Sequence, residues 1–200
     1  MGNDWEGLHS QAVTESVAPE KPRQGFKRFV FDLLETLLLS LLLFFAINTI
    51  SARIRVDGSS MVPTLHSGES MIVNKLAYKL GSPQFGDVVV FHFPGNPEQE
   101  YIKRIIGLPG DRVDIREGMV SVNGQALNEP YIAAPPQYTG EWVVPDDQVF
   151  VLGDNRNQSS DSHSWGFVPH DLVVGRALVI YWPLDNLKIL NQTPVVNAAN

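Results

Sequence analysis

Three short segments of the sequence carry side chains suited to covalent and proton-transfer chemistry. Residues 56–65 hold two adjacent serines between a glycine and a proline, and residues 101–111 open with Tyr-Ile-Lys-Arg. Residues 153–162 read Gly-Asp-Asn-Arg-Asn-Gln-Ser-Ser-Asp-Ser. A serine hydroxyl becomes a nucleophile when a neighbouring base takes its proton, and neutral lysine is one side chain that does so. The segments together supply a candidate nucleophile, a candidate base and polar support.

Lys103 is the candidate base, and its chemistry depends on burial. A free lysine has a pKa of about 10.4, so it acts as a base near neutral pH only when desolvation lowers that pKa. Side chains alternate along a strand, so Lys103 shares a face with Tyr101 while Arg104 points to the opposite face. We expect Tyr101, Met61 and Phe91 to exclude water from the amine.

Histidine offers an alternative base. The five histidines show no metal-like spacing, but Ser60 with His92 or His163 is an alternative Ser-His-Asp hydrolase. The acids of residues 153–162 lack the spacing of a calcium hand. The absence of cysteine excludes thiolate zinc sites, iron–sulfur clusters and cysteine nucleophiles. The net charge of −7 disfavours nucleic-acid binding.

The elements that must position these residues are mostly strands, because short β-rich runs alternate with turn residues from residue 52 onward. Asn123-Gly124 is the strongest hairpin signal, since both residues accept the positive φ of a type I′ turn. The sequence predicts a mainly β fold, a folded-over antiparallel sheet or β-barrel-like domain. The predicted strands are Ile54–Val56, Ser70–Asn74, Asp87–Phe93, Tyr101–Gly107, Arg112–Arg116, Met119–Val122, Gln148–Leu152 and Leu172–Tyr181.

An apolar segment, Phe29 to Ile50, precedes the strands. As a helix its 22 residues would span about 33 Å, close to the roughly 30 Å of a hydrocarbon core. Asp32 and Glu35 fall in its first turns, where carboxylates reach the interface. A cleaved signal peptide and a buried core helix are alternatives, but the flanks and the apolar character on every side favour a permanent span.

Charge next to the span predicts its orientation. Four bases precede it and two follow it, so by the positive-inside rule the N-terminus is cytoplasmic. The sequence thus divides into a polar cytoplasmic tail at 1–28, of which we expect residues 1–20 to be disordered, a transmembrane helix at 29–50 and a β-rich domain on the far side at 51–200. The bases are Lys21, Arg23, Lys27 and Arg28 before the span and Arg53 and Arg55 after it.

The three segments, in this order behind one N-terminal span, resemble bacterial type I signal peptidases. The shared patterns are S-M-x-P-T-L at residues 60–65, Y-I-K-R-x-x-G-L-P-G-D at 101–111 and G-D-N-R-x-x-S-x-D-S at 153–162. Residues 86–91 match the strand before the lysine strand, and the resemblance covers about residues 30–182. It implies a membrane-anchored serine endopeptidase of a compact form that removes signal peptides.

The resemblance implies a serine–lysine dyad. Ser60 matches the nucleophile, which local pattern alone does not distinguish from Ser59, and Lys103 matches the general base. Ser159 matches the hydroxyl that orients the lysine amine. The backbone N–H of Ser60 is the expected oxyanion donor. Gly58 stands where some relatives have a hydroxyl, so its backbone or water would supply a second donor.

The resemblance also implies structural charges around the dyad. Arg104 and Asp154 match an ion pair near the site, and Asp161 matches an acid that supports the same loop. His163 stands where some relatives carry an arginine partner for that acid, and a neutral histidine would pair more weakly.

The substrate implied by the resemblance is an extended preprotein segment that adds as a strand beside residues 54–58 and 98–102. Shallow pockets would favour small residues at the first and third positions before the cut. No metal or cofactor is implied, and the implied partners are signal peptides, the lipid bilayer and the protein-export translocon. An inactive membrane-tethered scaffold for secretion is the alternative function. The residues matching the pocket lining are Val56, Met61, Leu65, Val90, Tyr101 and Ile102.

Overall fold

The computed structural model describes residues 23–190 and 195–196, and residues 1–20, which were predicted to be disordered, lie outside these residues. The first element is a helix, α1 (Arg23–Ile50), which begins six residues before the predicted span. Residues 25–50 have the length and composition of a membrane-crossing helix, and none of the most apolar stretch is buried. The buried-core-helix alternative therefore does not fit.

Strands dominate the chain after α1, and each pairing described between them is antiparallel. The strands are β1 (Ser51–Arg55), β2 (Ser70–Asn74), β3 (Val88–Phe93), β4 (Asn96–Gly107), β5 (Arg112–Arg116), β6 (Met119–Val122), β7 (Gln125–Asn128), β8 (Gly140–Val143), β9 (Gln148–Leu152), β10 (Val168–Pro169), β11 (Val173–Trp182), β12 (Lys188–Ile189) and β13 (Val195–Val196). Short helices are α2 (Ala77–Leu80) and α3 (Ser162–Trp165), with 3₁₀ turns at Arg156–Gln158, His170–Leu172 and Leu184–Asn186.

Two sheets organise the strands. The larger follows the order β1-β2-β11-β3-β4-β9-β10, with β12 paired to β11, and the smaller follows β13-β7-β6-β5-β8. This arrangement confirms the predicted mainly β fold built from antiparallel sheets. The sequence reading missed β8, β10, β12 and β13, of which three have only two residues, too few to show a period-2 pattern.

Local signals placed several elements correctly. Asn123 and Gly124 have φ values of 54° and 81°, as the predicted type I′ hairpin between β6 and β7 requires.

Strand β4 starts at Asn96, five residues before the predicted start at Tyr101. This extension is mostly exposed and pairs with the end of β3, so its stability comes from backbone pairing that side-chain hydrophobicity does not reveal.

Strand β3 is buried along Val88–Phe91, because side chains on each of its faces enter a different apolar cluster. Val88 and Val90 pack with one cluster, while Val89 and Phe91 pack with another. Burying a valine or phenylalanine side chain fully contributes roughly 1.5–3 kcal/mol. This double packing fixes β3 and, through it, the paired strand β4 that carries the candidate base.

Candidate active site

Ser60 and Lys103 meet although they lie 43 positions apart in the chain. Ser60 occupies a turn that follows β1, and Lys103 projects from β4. Lys103 Nζ lies 2.8 Å from Ser60 Oγ and donates to the carbonyl oxygen of Ile102 at 2.9 Å. The separation is that of a hydrogen bond, as transfer of the serine proton to the amine requires.

The amine of Lys103 is held in a poorly solvated position, since only 4% of the residue is exposed. Burial lowers the pKa of Lys103 to about 8, against a smaller opposing effect of Asp161 and then Asp154, whose charges favour the ammonium. The Tyr101 ring centroid lies 5.3 Å from Nζ. Val89 lies directly opposite Lys103 in the sheet.

The other two side chains expected to desolvate the amine occupy different positions. Met61 is 2% exposed and lines the same cavity as Ser60 and Lys103. Phe91 is fully buried but lies opposite Tyr101, two positions along β3 from the residue that faces Lys103. Met61 therefore borders the site directly, whereas Phe91 packs behind the Tyr101 ring, with ring centroids 6.3 Å apart.

The loop after β9 packs against the backbone of Ser60. Gly153 approaches the carbonyl oxygen of Ser60 and the Ser159 side chain so closely that a Cβ at this position would overlap both. Ser159 Oγ is buried and has no hydrogen-bond partner among the described residues. The structure thus brings Ser159 beside the dyad, but it does not form the bond to Lys103 that the sequence reading expected.

A buried ion pair stands beneath this loop. Arg104 Nε and Nη2 donate to the two carboxylate oxygens of Asp154 at 2.8 and 2.7 Å, and Nη1 donates to the carbonyl of Gly86 at 3.0 Å. Both side chains are at most 1% exposed. Arg104 therefore neutralises Asp154 on the opposite strand face from Lys103, as alternation along β4 predicts.

Asp161 supports the loop from the other side. Its carboxylate accepts from the backbone N–H of Gly153 at 2.9 Å, and its second oxygen lies 2.6 Å from His163 Nδ1. The His163 ring stacks on Tyr138, with centroids 3.9 Å apart. Histidine therefore occupies the place of the acid's partner, at a distance as short as a charge-assisted hydrogen bond.

A cavity of about 500 Å³ opens in front of the dyad. Five of the six predicted lining residues border it, together with Gly58, whose φ of 95° lies in the left-handed region. The prediction that Leu65 lines the cavity is wrong, because this residue is fully buried in the apolar cluster of β2 and β3. The complete lining comprises Ile54, Arg55, Val56, Asp57, Gly58, Ser60, Met61, Val90, Gln99, Glu100, Tyr101, Ile102, Lys103 and Ser160.

Comparison with known protein families shows to which family the chain belongs. The family model described as signal peptidase, peptidase S26, matches residues 30–182. The chain belongs to the signal peptidase family. A probable signal peptidase I-2 from Synechocystis is 46% identical over 80% of this chain and 77% of its own length. Signal peptidase I from Leptolyngbya laminosa is 41% identical over 92% of this chain and 97% of its own length.

Solved structures are also similar, and one of them illustrates the likeness. It is a signal peptidase I from Enterococcus faecalis, 35% identical, matched over 47% of this chain and 95% of that chain with a TM-score of 0.44. Membership of peptidase S26 makes this chain a serine endopeptidase, and with α1 it is membrane-anchored.

Sequence reasoning missed a second buried ion pair in this signal peptidase. Arg156 Nη1 donates to Glu129 at 2.8 Å, and its Nε donates to the carbonyl of Gly153 at 3.1 Å. Arg156 belongs to the third motif, residues 153–162, so the sequence already indicated that it lies near the site. Its partner Glu129 follows β7 and carries no local signal, because only the fold brings it near.

None of the histidines in the described part of this signal peptidase has a hydrogen bond to Ser60. Ser60 Oγ has Lys103 as its hydrogen-bonding neighbour, whereas His163 faces Asp161. His92 lies on β3 opposite Glu100, with a buried Nδ1 that has no partner in the described part of the chain. Across residues 23–190 and 195–196, no cluster of histidines and acids has the geometry of a metal site.

Proposed function

We propose that this peptidase removes signal peptides from exported preproteins, with Ser60 as the nucleophile and Lys103 as the general base. The observation that carries the proposal is the 2.8 Å separation of Lys103 Nζ and Ser60 Oγ at the edge of an open cavity. The lowered pKa of about 8 makes a useful fraction of the amine neutral near physiological pH.

The reaction proceeds in two halves. Neutral Lys103 takes the proton of Ser60 Oγ as the oxygen attacks the scissile carbonyl carbon, and the charge develops on the carbonyl oxygen beside the Ser60 N–H and the Gly58 backbone. The lysine ammonium then returns the proton to the leaving amine as the C–N bond breaks. A water molecule, deprotonated by neutral Lys103, hydrolyses the acyl-serine ester and regenerates the hydroxyl.

The substrate binds as an extended strand between residues 54–58 and 98–102. Residues from both segments line the cavity, and β1 is an edge strand of the larger sheet, so free backbone groups are available for pairing. Apolar side chains at the cavity wall, including Met61, Val90 and Ile102, leave room for small residues. This supports a preference for small side chains at the first and third positions before the cut.

The peptidase domain works on the side of the membrane opposite the N-terminus, where translocated preproteins emerge, next to the protein-export translocon. The four bases before the span against two after it support this orientation. The role of Ser159 in orienting the lysine also remains part of the proposal. Its support is the buried position of its hydroxyl beside the dyad.

Ser60→Ala and Lys103→Met should each abolish cleavage of a purified preprotein by the detergent-solubilised full chain. Lys79→Met is the matched control, because Lys79 is exposed on α2 and does not line the cavity, and it should cleave as fast as wild type. Cleavage that survives Lys103→Met would return the role of base to a histidine. A wild-type chain that cleaves nothing would favour the inactive scaffold.

A further inference from the structure

The structure points to a positioning residue that the motifs alone do not explain. Asn155 contacts the backbone of the nucleophile twice. Its own N–H donates to the carbonyl oxygen of Ser60 at 3.0 Å, and its side-chain Nδ2 donates to the carbonyl oxygen of Ser59 at 3.1 Å. We propose that Asn155 orients the backbone N–H of Ser60 toward the oxyanion, a role that rests on the proposed function of Ser60.

Peptide geometry connects the Asn155 side chain to that N–H. The peptide group joining Ser59 and Ser60 is planar and trans, so its C=O and its N–H point in opposite directions. The Ser59 carbonyl accepts from Asn155 Nδ2 and from the N–H of Val62, both at 3.1 Å. Two donors therefore set the direction of the carbonyl and, with it, the opposite direction of the Ser60 N–H.

The Ser60 N–H is free for a ligand. Within the described residues it donates to no protein group, and Ser60 lines the cavity that faces the dyad. A donor aimed before the substrate arrives costs no reorganisation when the charge develops. Asn155 thus holds the donor without touching the reacting atoms itself.

Asn155 is itself held in place. Its Nδ2 also lies 3.3 Å from Gln158 Oε1, and two neighbouring acceptors determine which amide atom is the donor. The residues on either side, Asp154 and Arg156, are locked in the buried ion pairs with Arg104 and Glu129. The side chain that orients the Ser59–Ser60 peptide therefore projects from a rigid loop.

A matched control stands two residues away. Asn157 is the same residue type on the same loop, and its side chain donates to the carbonyl of Pro135 at 2.9 Å and accepts from the N–H of Gln137 at 2.8 Å. It has no hydrogen bond to the nucleophile's backbone. Asn157→Ala removes the same number of atoms and leaves the Ser60 N–H held as before.

The test compares Asn155→Ala, Asn155→Asp and Asn157→Ala in the detergent-solubilised full chain. Asn155→Asp keeps the size of the side chain but removes the N–H donor to Ser59. Both Asn155 variants should lower kcat by about 10- to 100-fold with KM unchanged, the usual range for a misplaced catalytic group. Asn157→Ala should keep the wild-type kcat.

Three further measurements separate positioning from a structural role. A peptide aldehyde ending in alanine forms a tetrahedral adduct with the serine, and its affinity should fall in the Asn155 variants by the same factor as kcat. The acidic limb of the kcat/KM profile of Asn155→Ala, which adds no charge, should stay at the wild-type pH, because Lys103 Nζ is untouched. Unchanged thermal unfolding of Asn155→Asp would show that the loss is not one of folding.

Three outcomes would overturn the proposal. They are a wild-type kcat in both Asn155 variants, a loss confined to KM, and a kcat loss in Asn155→Ala accompanied by a shifted acidic limb. Failure of the proposed function gives a different result, since either the wild-type chain would cleave nothing or Ser60→Ala would still cleave. The two failures are therefore distinguishable.

Discussion

At the scale of single residues, the site depends on one amine and its surroundings. Lys103 is almost fully buried, and burial favours the neutral amine because a charged ammonium loses its hydration there. Asp161 and Asp154 act in the opposite direction, but less strongly. Asp154 is already paired with Arg104, so the carboxylate of Asp161 is the more useful one to test.

The pH dependence of kcat/KM should reflect the opposing effects of burial and of the two carboxylates on the pKa of Lys103. The protonated amine cannot accept the Ser60 proton, so kcat/KM should fall tenfold per unit below the pKa of Lys103, which places the acidic limb near pH 8. Asp161→Asn removes a charge that stabilises the ammonium, so the pKa should drop and the limb should move to lower pH. Stopped assays from pH 5 to about 10 measure this.

The control for this profile is Asp171→Asn. Asp171 is exposed in the 3₁₀ turn before β11, and it carries the same charge change without affecting Lys103. Its acidic limb should coincide with that of wild type. A limb that stays in place in folded Asp161→Asn, or moves to higher pH, would mean that the limb reports a group other than Lys103.

At the scale of elements, three segments converge on the candidate active site. The turn after β1 carries Ser60, β4 carries Lys103, and the loop after β9 lies against the Ser60 backbone. Strand β4 joins them, because consecutive residues serve opposite faces: Lys103 faces the serine and Arg104 anchors the loop through Asp154. The ion pair is therefore a structural link between the base strand and the loop.

Breaking the Arg104–Asp154 ion pair should lower the free energy of unfolding substantially. Arg104→Met leaves the Asp154 carboxylate buried without its partner, which typically lowers the free energy of unfolding by about 3–5 kcal/mol. Arg116→Met is the control, since Arg116 pairs with Glu141 on the surface and such exposed pairs contribute at most about 1 kcal/mol. Urea unfolding of the detergent-solubilised chain measures both.

A double variant tests whether the loss of stability comes from the buried charge that is left without its partner. Arg104→Met combined with Asp154→Leu removes both charges, so it should unfold at a higher urea concentration than Arg104→Met alone. Equal losses for Arg104→Met and Arg116→Met would show that the buried pair does not anchor the loop.

At the scale of the whole molecule, an apolar N-terminal helix is followed by a domain built from antiparallel strands. The bases just before residues 29–50, the apolar part of this helix, outnumber those immediately after it, and lysine and arginine are retained on the cytoplasmic side during insertion. This asymmetry is the physical basis for expecting the peptidase domain on the trans side.

Reporters fused to the C-terminus test that orientation. A reporter that is active only in the cytoplasm should be silent, and one that is active only outside it should give full signal. Replacing the four preceding bases with glutamine should reduce the bias and increase the cytoplasmic signal. A strong cytoplasmic signal from the unaltered chain would contradict the orientation and, with it, the proposed role in export.

The sequence by itself determined the features that depend on near neighbours in the chain. The apolar helix follows from local hydropathy, the turn at Asn123-Gly124 from the φ values those residues tolerate, and the opposite faces of Lys103 and Arg104 from strand alternation. The three motifs also selected Ser60 and Lys103 as a pair. Each of these inferences needs only residues within one segment, or a pattern that the family shares.

The tertiary structure alone decided which groups actually touch. The pairing of Arg156 with Glu129 and the placement of Leu65 in the core rather than at the cavity could not be read from the chain. Nor could the sequence show that the Ser159 hydroxyl has no partner among the described residues. The contact of Asn155 with Ser59 spans 96 positions. Such contacts form because sheets and buried charges bring distant segments together, and no local pattern records the partner across that distance.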